Sequence, residues 1–169
     1  MKSKDHTKQK GESQKSISKI DNFNLKVISI GVGFSDKCLD LDHLAFNGLW
    51  TKSQWEKELS DKSKLCLGVF MNSKIIALVS GTIILDQLEI NMLAVDPSKR
   101  RLGLGEKVLS SLLNRSRKLG AHKVTLEVKS QNFAAKKLYK KLGFKIIGNR
   151  EKYYKDGSNA LIFGLNFDP

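Results

Sequence analysis

Residues 93–106, Leu-Ala-Val-Asp-Pro-Ser-Lys-Arg-Arg-Leu-Gly-Leu-Gly-Glu, set two arginines and two glycines between an apolar run and the start of an amphipathic stretch. Those types at that spacing suit the holding of a diphosphate. Asp96-Pro97 breaks the strand that carries Leu93, Ala94 and Val95, and Leu104, Val108, Leu109, Leu112 and Leu113 fall on one helical stripe. Gly103 and Gly105 then stand in the first helical turn. There, missing β-carbons let a ligand approach the backbone, while unpaired amides and the positive end of the helix dipole favour a pyrophosphate. Arg100, Arg101, Leu102, Leu104 and Glu106 complete the turn. The spacing is neither the GxxxxGK[ST] of a nucleoside-triphosphate loop nor the full GxGxxG of a dinucleotide fold; it is Arg100-x-x-Gly103-x-Gly105.

A cradle of this kind needs a strand before it and a sheet around it. Residues 25–30 alternate as a strand, and 34–46 read as a helix opened by Ser35 and Asp36, with Cys38, Leu41, His43, Leu44 and Ala45 as its apolar side. A second helix is expected over 53–59, then a hairpin of 65–70 and 74–85 turning at Met71-Asn72-Ser73. The strand 87–95 leads into the cradle, whose helix runs to about residue 119 and stops at Gly120. Next, 123–128 puts Val124, Leu126 and Val128 on one face and Lys123, Thr125 and Glu127 on the other. Asn132 caps a helix over 133–142 whose buried stripe is Ala134, Ala135, Leu138, Tyr139 and Leu142, and strands at 145–147 and 160–165 close the sheet. The sum is an α/β fold with a mixed central sheet of about six to seven strands flanked by about four helices.

At 169 residues and 40% apolar, the chain suits one domain with a real core. No apolar run is long enough to span a bilayer, so no membrane partner is expected. Residues 1–22 are polar, lysine- and serine-rich and aperiodic, and read as a disordered basic tail; 23–169 form the folded domain. The tail lacks the apolar core of a signal peptide, and two cysteines, Cys38 and Cys66, fit a reducing, cytoplasmic setting. Three scattered histidines offer no ligand spacing, so no metal is expected. Of the net charge of +13, the tail holds +3 and the rest +10, so the excess is spread. The 25 lysines against 5 arginines point to composition rather than to phosphate recognition, which favours arginine; nucleic acid is not the expected partner.

The turn resembles the Q/R-x-x-G-x-G/A signature with which the GNAT superfamily of N-acetyltransferases wraps the pyrophosphate of coenzyme A. The stretch Leu126-Glu127-Val128-Lys129-Ser130-Gln131-Asn132, followed by Leu138-Tyr139 and Gly143-Phe144, is similar to the LEVR-x-x-N…LY-x-x-x-GF pattern of its RimI-type branch. That branch acetylates the N-terminal alanine of protein eighteen of the small ribosomal subunit. The resemblance runs from about residue 25 to the C-terminus. It implies the GNAT fold, acetyl-CoA as acetyl donor and a protein N-terminus, that of a ribosomal protein, as acceptor. It further implies that Leu93, Ala94 and Val95 offer backbone groups to the acetyl and pantetheine portion, that 101–106 hold the pyrophosphate, and that Asn132 contacts the cofactor arm. Glu127 matches the family's proton acceptor and Tyr139 its proton donor. Arg150-Glu151-Lys152-Tyr153-Tyr154 with Asp156-Gly157 resembles the hairpin that shapes the peptide entrance, and Asn159 stands where the family carries an acid.

The chemistry agrees with these roles. An amine attacks a thioester only when unprotonated. An α-amine (pKa roughly 7.7–8.0) reaches that state at pH 7 for about 1 kcal/mol, whereas a lysine (about 10.4) needs roughly 3–4 kcal/mol more protonation work undone. A carboxylate such as Glu127 collecting that proton is worth roughly 10²–10⁴ in rate. A tyrosine at the sulfur can serve the departing thiolate, and backbone amides at 93–95 can polarise the carbonyl. Glu89, alternating with Asn91 on the incoming strand, is a candidate second base or amine contact, so the dominant base lies between Glu89 and Glu127. Tyr153 and Tyr154 either touch substrate or pack their hairpin, and Trp50 reads as a buried structural residue. Two other readings stay open: a GNAT enzyme for a small amine or a protein lysine, and a non-catalytic basic protein binding ribosome or RNA.

Overall fold

A computed structural model describes residues 25–167. Strands β1 (Val27–Ser29), β2 (Lys64–Met71), β3 (Lys74–Ile84), β4 (Gln87–Val95), β5 (Lys123–Lys129), β6 (Lys145–Arg150) and β7 (Ala160–Asn166) form one sheet in the order β1-β2-β3-β4-β5-β7-β6. Among the described residues the α-helices are α1 (Ser35–Phe46), α2 (Lys52–Ser60), α3 (Leu104–Lys118) and α4 (Phe133–Lys141). All neighbouring strands pair antiparallel except β4 and β5, which are parallel because α3 carries the chain back across the sheet between them. The β2–β3 hairpin closes through Asn72 and Ser73, both at positive φ, the geometry that follows the natural twist of two strands.

Helices coat both faces of the sheet. Leu104, Val108, Leu109 and Leu112 of α3 and Tyr139 of α4 pack with Val124, Leu126, Val128 and Phe163 on one side. Cys38 and Leu41 of α1 and Trp55 of α2 pack with Cys66, Leu78, Met92 and Ala94 on the other. Covered on both sides, β3 is buried along most of its length, which is why it carries the longest apolar run of the chain.

One feature of β4 decides the rest. Ile90 pairs with Gly81 and Met92 with Ser80, so Asn91 is an extra residue, a bulge. The bulge exchanges the faces of the strand: Leu88 and Ile90 belong to the α3 side, Met92 and Ala94 to the α1–α2 side. Beyond it, β4 leaves β5. Their ladder runs from Gln87↔Lys123 to Ile90↔Leu126 and ends there, although both strands continue.

Several expected boundaries shift. A 3₁₀ turn (Val32–Phe34) leads into α1, whose N-cap Phe34 makes no side-chain bond; Asp36 instead pairs with Lys52 of α2 at 2.7 Å. His43 is exposed rather than on the buried stripe. Trp50 is half-buried, its ring 4.7 Å from that of Trp55, and Trp55 is the fully buried tryptophan. β6 does not stop at 147: a register shift between Ile146 and Gly148 lets Asn149 and Arg150 stay paired with β7. The tail expected over 1–22 lies outside the described residues. No described helix is long and apolar enough to cross a membrane.

Candidate active site

The head of α3 is built around left-handed backbone. Gly103, its N-cap, has φ 79°, and Arg101 before it has φ 64°, a conformation that costs a side-chain-bearing residue energy and recurs at ligand sites. Turns of this kind bring successive N–H groups toward an anion. Lys107 N–H donates the first helical bond, to the Gly103 carbonyl at 3.0 Å. The amides of Leu104, Gly105 and Glu106 precede it and have no intrahelical acceptor, and Gly103 has no side chain to cap them. Arg100 and Arg101 are exposed beside them. The one acid of the turn, Glu106, is neutralised by Lys141 of α4 at 2.6 Å. A coenzyme diphosphate fits this donor set. At Gly105 a Cβ would lie 3.4 Å from Leu138 Cδ2 and 3.5 Å from Val95 Cγ2, so the side-chain direction of this residue is turned toward α4 and β4.

Where β4 and β5 part, Leu93, Ala94 and Val95 keep their pairing with β3 at Val79, Leu78 and Ala77 while losing β5. Backbone groups on that edge are without a strand partner inside the sheet, and such groups need one. Glu127 is the first residue of β5 past the last β4 pair, on the face opposite Leu126 and Val128. Its side chain is 26% exposed, and its Oε1 lies 3.0 Å from Arg150 Nε. The Glu127 carboxylate raises the pKa of the nearby Tyr153 phenol, by favouring its O–H form and by its negative charge; Glu89 adds to that effect. Glu89 itself is exposed on β4 opposite Thr125. Tyr154 is half-buried, edge-on to Tyr153 at 5.2 Å, with its pKa raised by burial and then by Glu127.

Tyr139, on α4, is 6% exposed and held between Phe144 and Phe163, with ring centroids 5.9 and 5.6 Å away. Burial, and then the nearby Tyr154, push its phenol up to about 12. Glu127, Tyr153, Tyr154 and Glu89 are thus electrostatically linked, while Tyr139 couples to them only through Tyr154, from the side of the sheet that carries Leu126 and Val128. Asn132 is the N-cap of α4, its Oδ1 accepting from Ala135 N–H at 3.1 Å, a cap that leaves its Nδ2 able to serve a ligand.

Two features escaped the sequence reading. Glu58 of α2 is buried; it pairs with Lys64 and accepts from Asn91 Nδ2 at 2.8 Å, while Asn91 also donates to Thr82 Oγ1 at 2.8 Å. This ties α2 to the bulge that opens the sheet. The only available signal was a glutamate three residues after Trp55, on the inward side of a helix. Asp42 is buried too, its carboxylate accepting from the amides of Leu49 (3.2 Å) and Trp50 (2.8 Å), which fixes the α1–α2 connection. Among the described residues no cluster of His, Cys, Asp or Glu is arranged to hold a metal.

Comparison with known proteins agrees with this architecture. Residues 36–144 match the model of the Acetyltransferase (GNAT) family. The [ribosomal protein bS18]-alanine N-acetyltransferase of Escherichia coli (strain K12) is 37% identical over 97 residues, covering 56% of this chain and 66% of that one. The crystal structure of the E. coli ribosomal-protein-S18-alanine N-acetyltransferase superposes with a TM-score of 0.80 over 86% of this chain and 95% of that one, at 27% identity. Arabidopsis thaliana NAA60 in complex with acetyl-CoA, 14% identical, has the same fold, with a TM-score of 0.78 over 86% and 99% of the two chains. The cradle on α3, the opened sheet and the matched span together make this chain an N-acetyltransferase of the GNAT family.

Proposed function

We propose that the protein, through its domain at 23–169, transfers the acetyl group of acetyl-CoA to the N-terminal α-amine of a ribosomal protein, the alanine of protein eighteen of the small subunit, with Glu127 as proton acceptor and Tyr139 as proton donor. The observation that carries the reading is the position of Glu127 at the point where β4 and β5 part, the first β5 side chain past the gap lined by Leu93, Ala94 and Val95. The acceptor is inferred from the names of the relatives.

When bound, acetyl-CoA supplies an activated acetyl thioester. Amides of 104–106 with Arg100 and Arg101 hold its diphosphate, the open edge of β4 at 93–95 takes the pantetheine arm and polarises the acetyl carbonyl, and Asn132 contributes its Nδ2. Glu127, at the surface and paired with arginine, suits an amine that is nearly neutral already. An α-amine needs only about 1 kcal/mol of deprotonation at pH 7. Burial keeps the Tyr139 phenol protonated, its pKa pushed up to about 12, so it offers a proton or a hydrogen bond to the departing thiolate. Glu89, Tyr153 and Tyr154 line the acceptor side.

Steady-state kinetics of Glu127→Gln and Tyr139→Phe on a short alanine-initiated peptide test these roles. Loss of the proton acceptor should lower kcat roughly 10²- to 10⁴-fold. Wild-type kcat in both variants would sink the assignment.

A further inference from the structure

Glu127 already holds a cation. Arg150 Nε lies 3.0 Å from its Oε1, and the Arg150 guanidinium also lies over the Tyr153 ring, 5.2 Å from its centroid. Tyr153 in turn lies near enough to the same carboxylate for its phenol to be held protonated by it. The carboxylate that is to meet a cationic acceptor is thus covered by two groups from β6 and the loop after it. Lys129, on the same strand, is engaged elsewhere, by Asp156 at 2.6 Å.

We infer that Arg150 is a positioning residue acting through Glu127: its guanidinium keeps the place that the acceptor's α-ammonium takes, and gives it up when the acceptor enters. This rests on the reading of Glu127 given above. Three facts support it. A guanidinium in a protein does not release its proton, so Arg150 cannot relay the amine's proton and must stand aside for amine and carboxylate to meet. The pair is open to water, Arg150 at 54% exposure and Glu127 at 26%, and an ion pair of that kind is worth no more than about fivefold in an equilibrium. Displacement is therefore cheap. Finally, Tyr153 offers the departing guanidinium a surface it already touches, so Arg150 can leave Glu127 without leaving the hairpin. The other groups beside Glu127 are Tyr154 from the loop and Glu89 from β4, neither of them a cation; with Arg150 displaced, the ammonium meets Glu127 with Glu89 nearby.

The test is steady-state kinetics of the full chain with saturating acetyl-CoA and a short alanine-initiated peptide, comparing Arg150→Gln, Arg150→Lys, Glu127→Gln and the double variant Glu127→Gln/Arg150→Gln. Removing the competing cation should lower the peptide KM about two- to fivefold. Arg150→Lys, which restores a cation, should return KM to within about twofold of wild type. In the Glu127→Gln background the Arg150 change should no longer move KM, as expected if the effect passes through that carboxylate. A raised KM in Arg150→Gln, or an equal shift in both backgrounds, overturns the inference and makes Arg150 a peptide contact or a hairpin support. If Glu127→Gln retains both kcat and KM, the reading of Glu127 fails and the inference falls with it. If Glu127→Gln loses kcat while Arg150→Gln raises KM, only the inference falls.

Discussion

Replacing Gly105 by alanine and by valine, beside Gly103→Ala, separates packing from ligand contact at the head of α3. A Cβ on Gly105 would meet Leu138 Cδ2 at 3.4 Å and Val95 Cγ2 at 3.5 Å, at the tight end of ordinary contact. Alanine therefore fits with a small adjustment of Leu138 and gains up to about 1 kcal/mol of helix propensity, leaving stability within about 1 kcal/mol of wild type. Valine adds two methyls against the same neighbours, and overpacking of that sort costs roughly 1–3 kcal/mol. Gly103→Ala meets a different problem. At φ 79° a side chain pays roughly 1–2 kcal/mol, and relief comes by turning the very amides that face the ligand. For a chain of this size each kcal/mol moves Tm by roughly 2–4 °C. Thermal unfolding with and without coenzyme A, together with calorimetric Kd values, reads both quantities. Gly105→Ala should keep wild-type affinity, Gly105→Val should lose stability first, and Gly103→Ala should lose affinity beyond its loss of stability. If Gly105→Ala lost coenzyme affinity tenfold with Tm unchanged, the bare face of Gly105 would be a ligand contact and the packing argument would be wrong.

Two further outcomes follow from buried titratable groups. The Tyr139 phenol is raised from an ordinary value of about 10 to about 12, so between those values the unfolded chain has lost a proton that the folded chain retains, and stability falls as pH rises. Urea unfolding near pH 11 should show wild type losing about 1 kcal/mol, relative to pH 9, that Tyr139→Phe does not lose; parallel losses would place the phenol in water. Burial pushes the Cys38 thiol up to about 12 and raises Cys66 as well. The folded protein should therefore react slowly with an aromatic disulfide reagent near pH 8 and release both thiols on denaturation; prompt reaction of either in the native state would contradict its burial.

Much of the fold was legible because it is written in clean periods. The stripe Leu104, Val108, Leu109, Leu112 sets α3, and Val124, Leu126, Val128 sets β5, so the strand–cradle–helix–strand unit was readable, with β4 at its observed bounds. The opening of the sheet was not. Leu88, Ile90, Met92 and Ala94 read as one face of a continuous strand, yet the bulge at Asn91 divides them between two cores. Nothing in an asparagine within an apolar alternation marks a bulge; its side chain is held by Thr82 on the paired strand and by Glu58 on α2, contacts that exist only once the elements are packed. Glu58 and Asp42 were unreadable for a related reason, since a carboxylate is buried only where amides or a lysine wait for it, and those partners are tertiary. The Arg150–Glu127 pair was hidden by the length of β6. Gly148 and Asn149 look like an end to the strand, and only the register shift beside Ile147 carries Arg150 on to the site.

The claim that this chain acetylates protein N-termini is tested most directly by mass spectrometry of peptides treated with the purified protein and acetyl-CoA. The peptides should begin with alanine, carry one internal lysine, and be offered with the N-terminus free or blocked. A single acetyl group on the α-amine of the free peptide, absent from the blocked one and strongly reduced in Glu127→Gln, is the predicted result. Acetylation of the lysine alone, or of neither site while coenzyme A still binds, would contradict it.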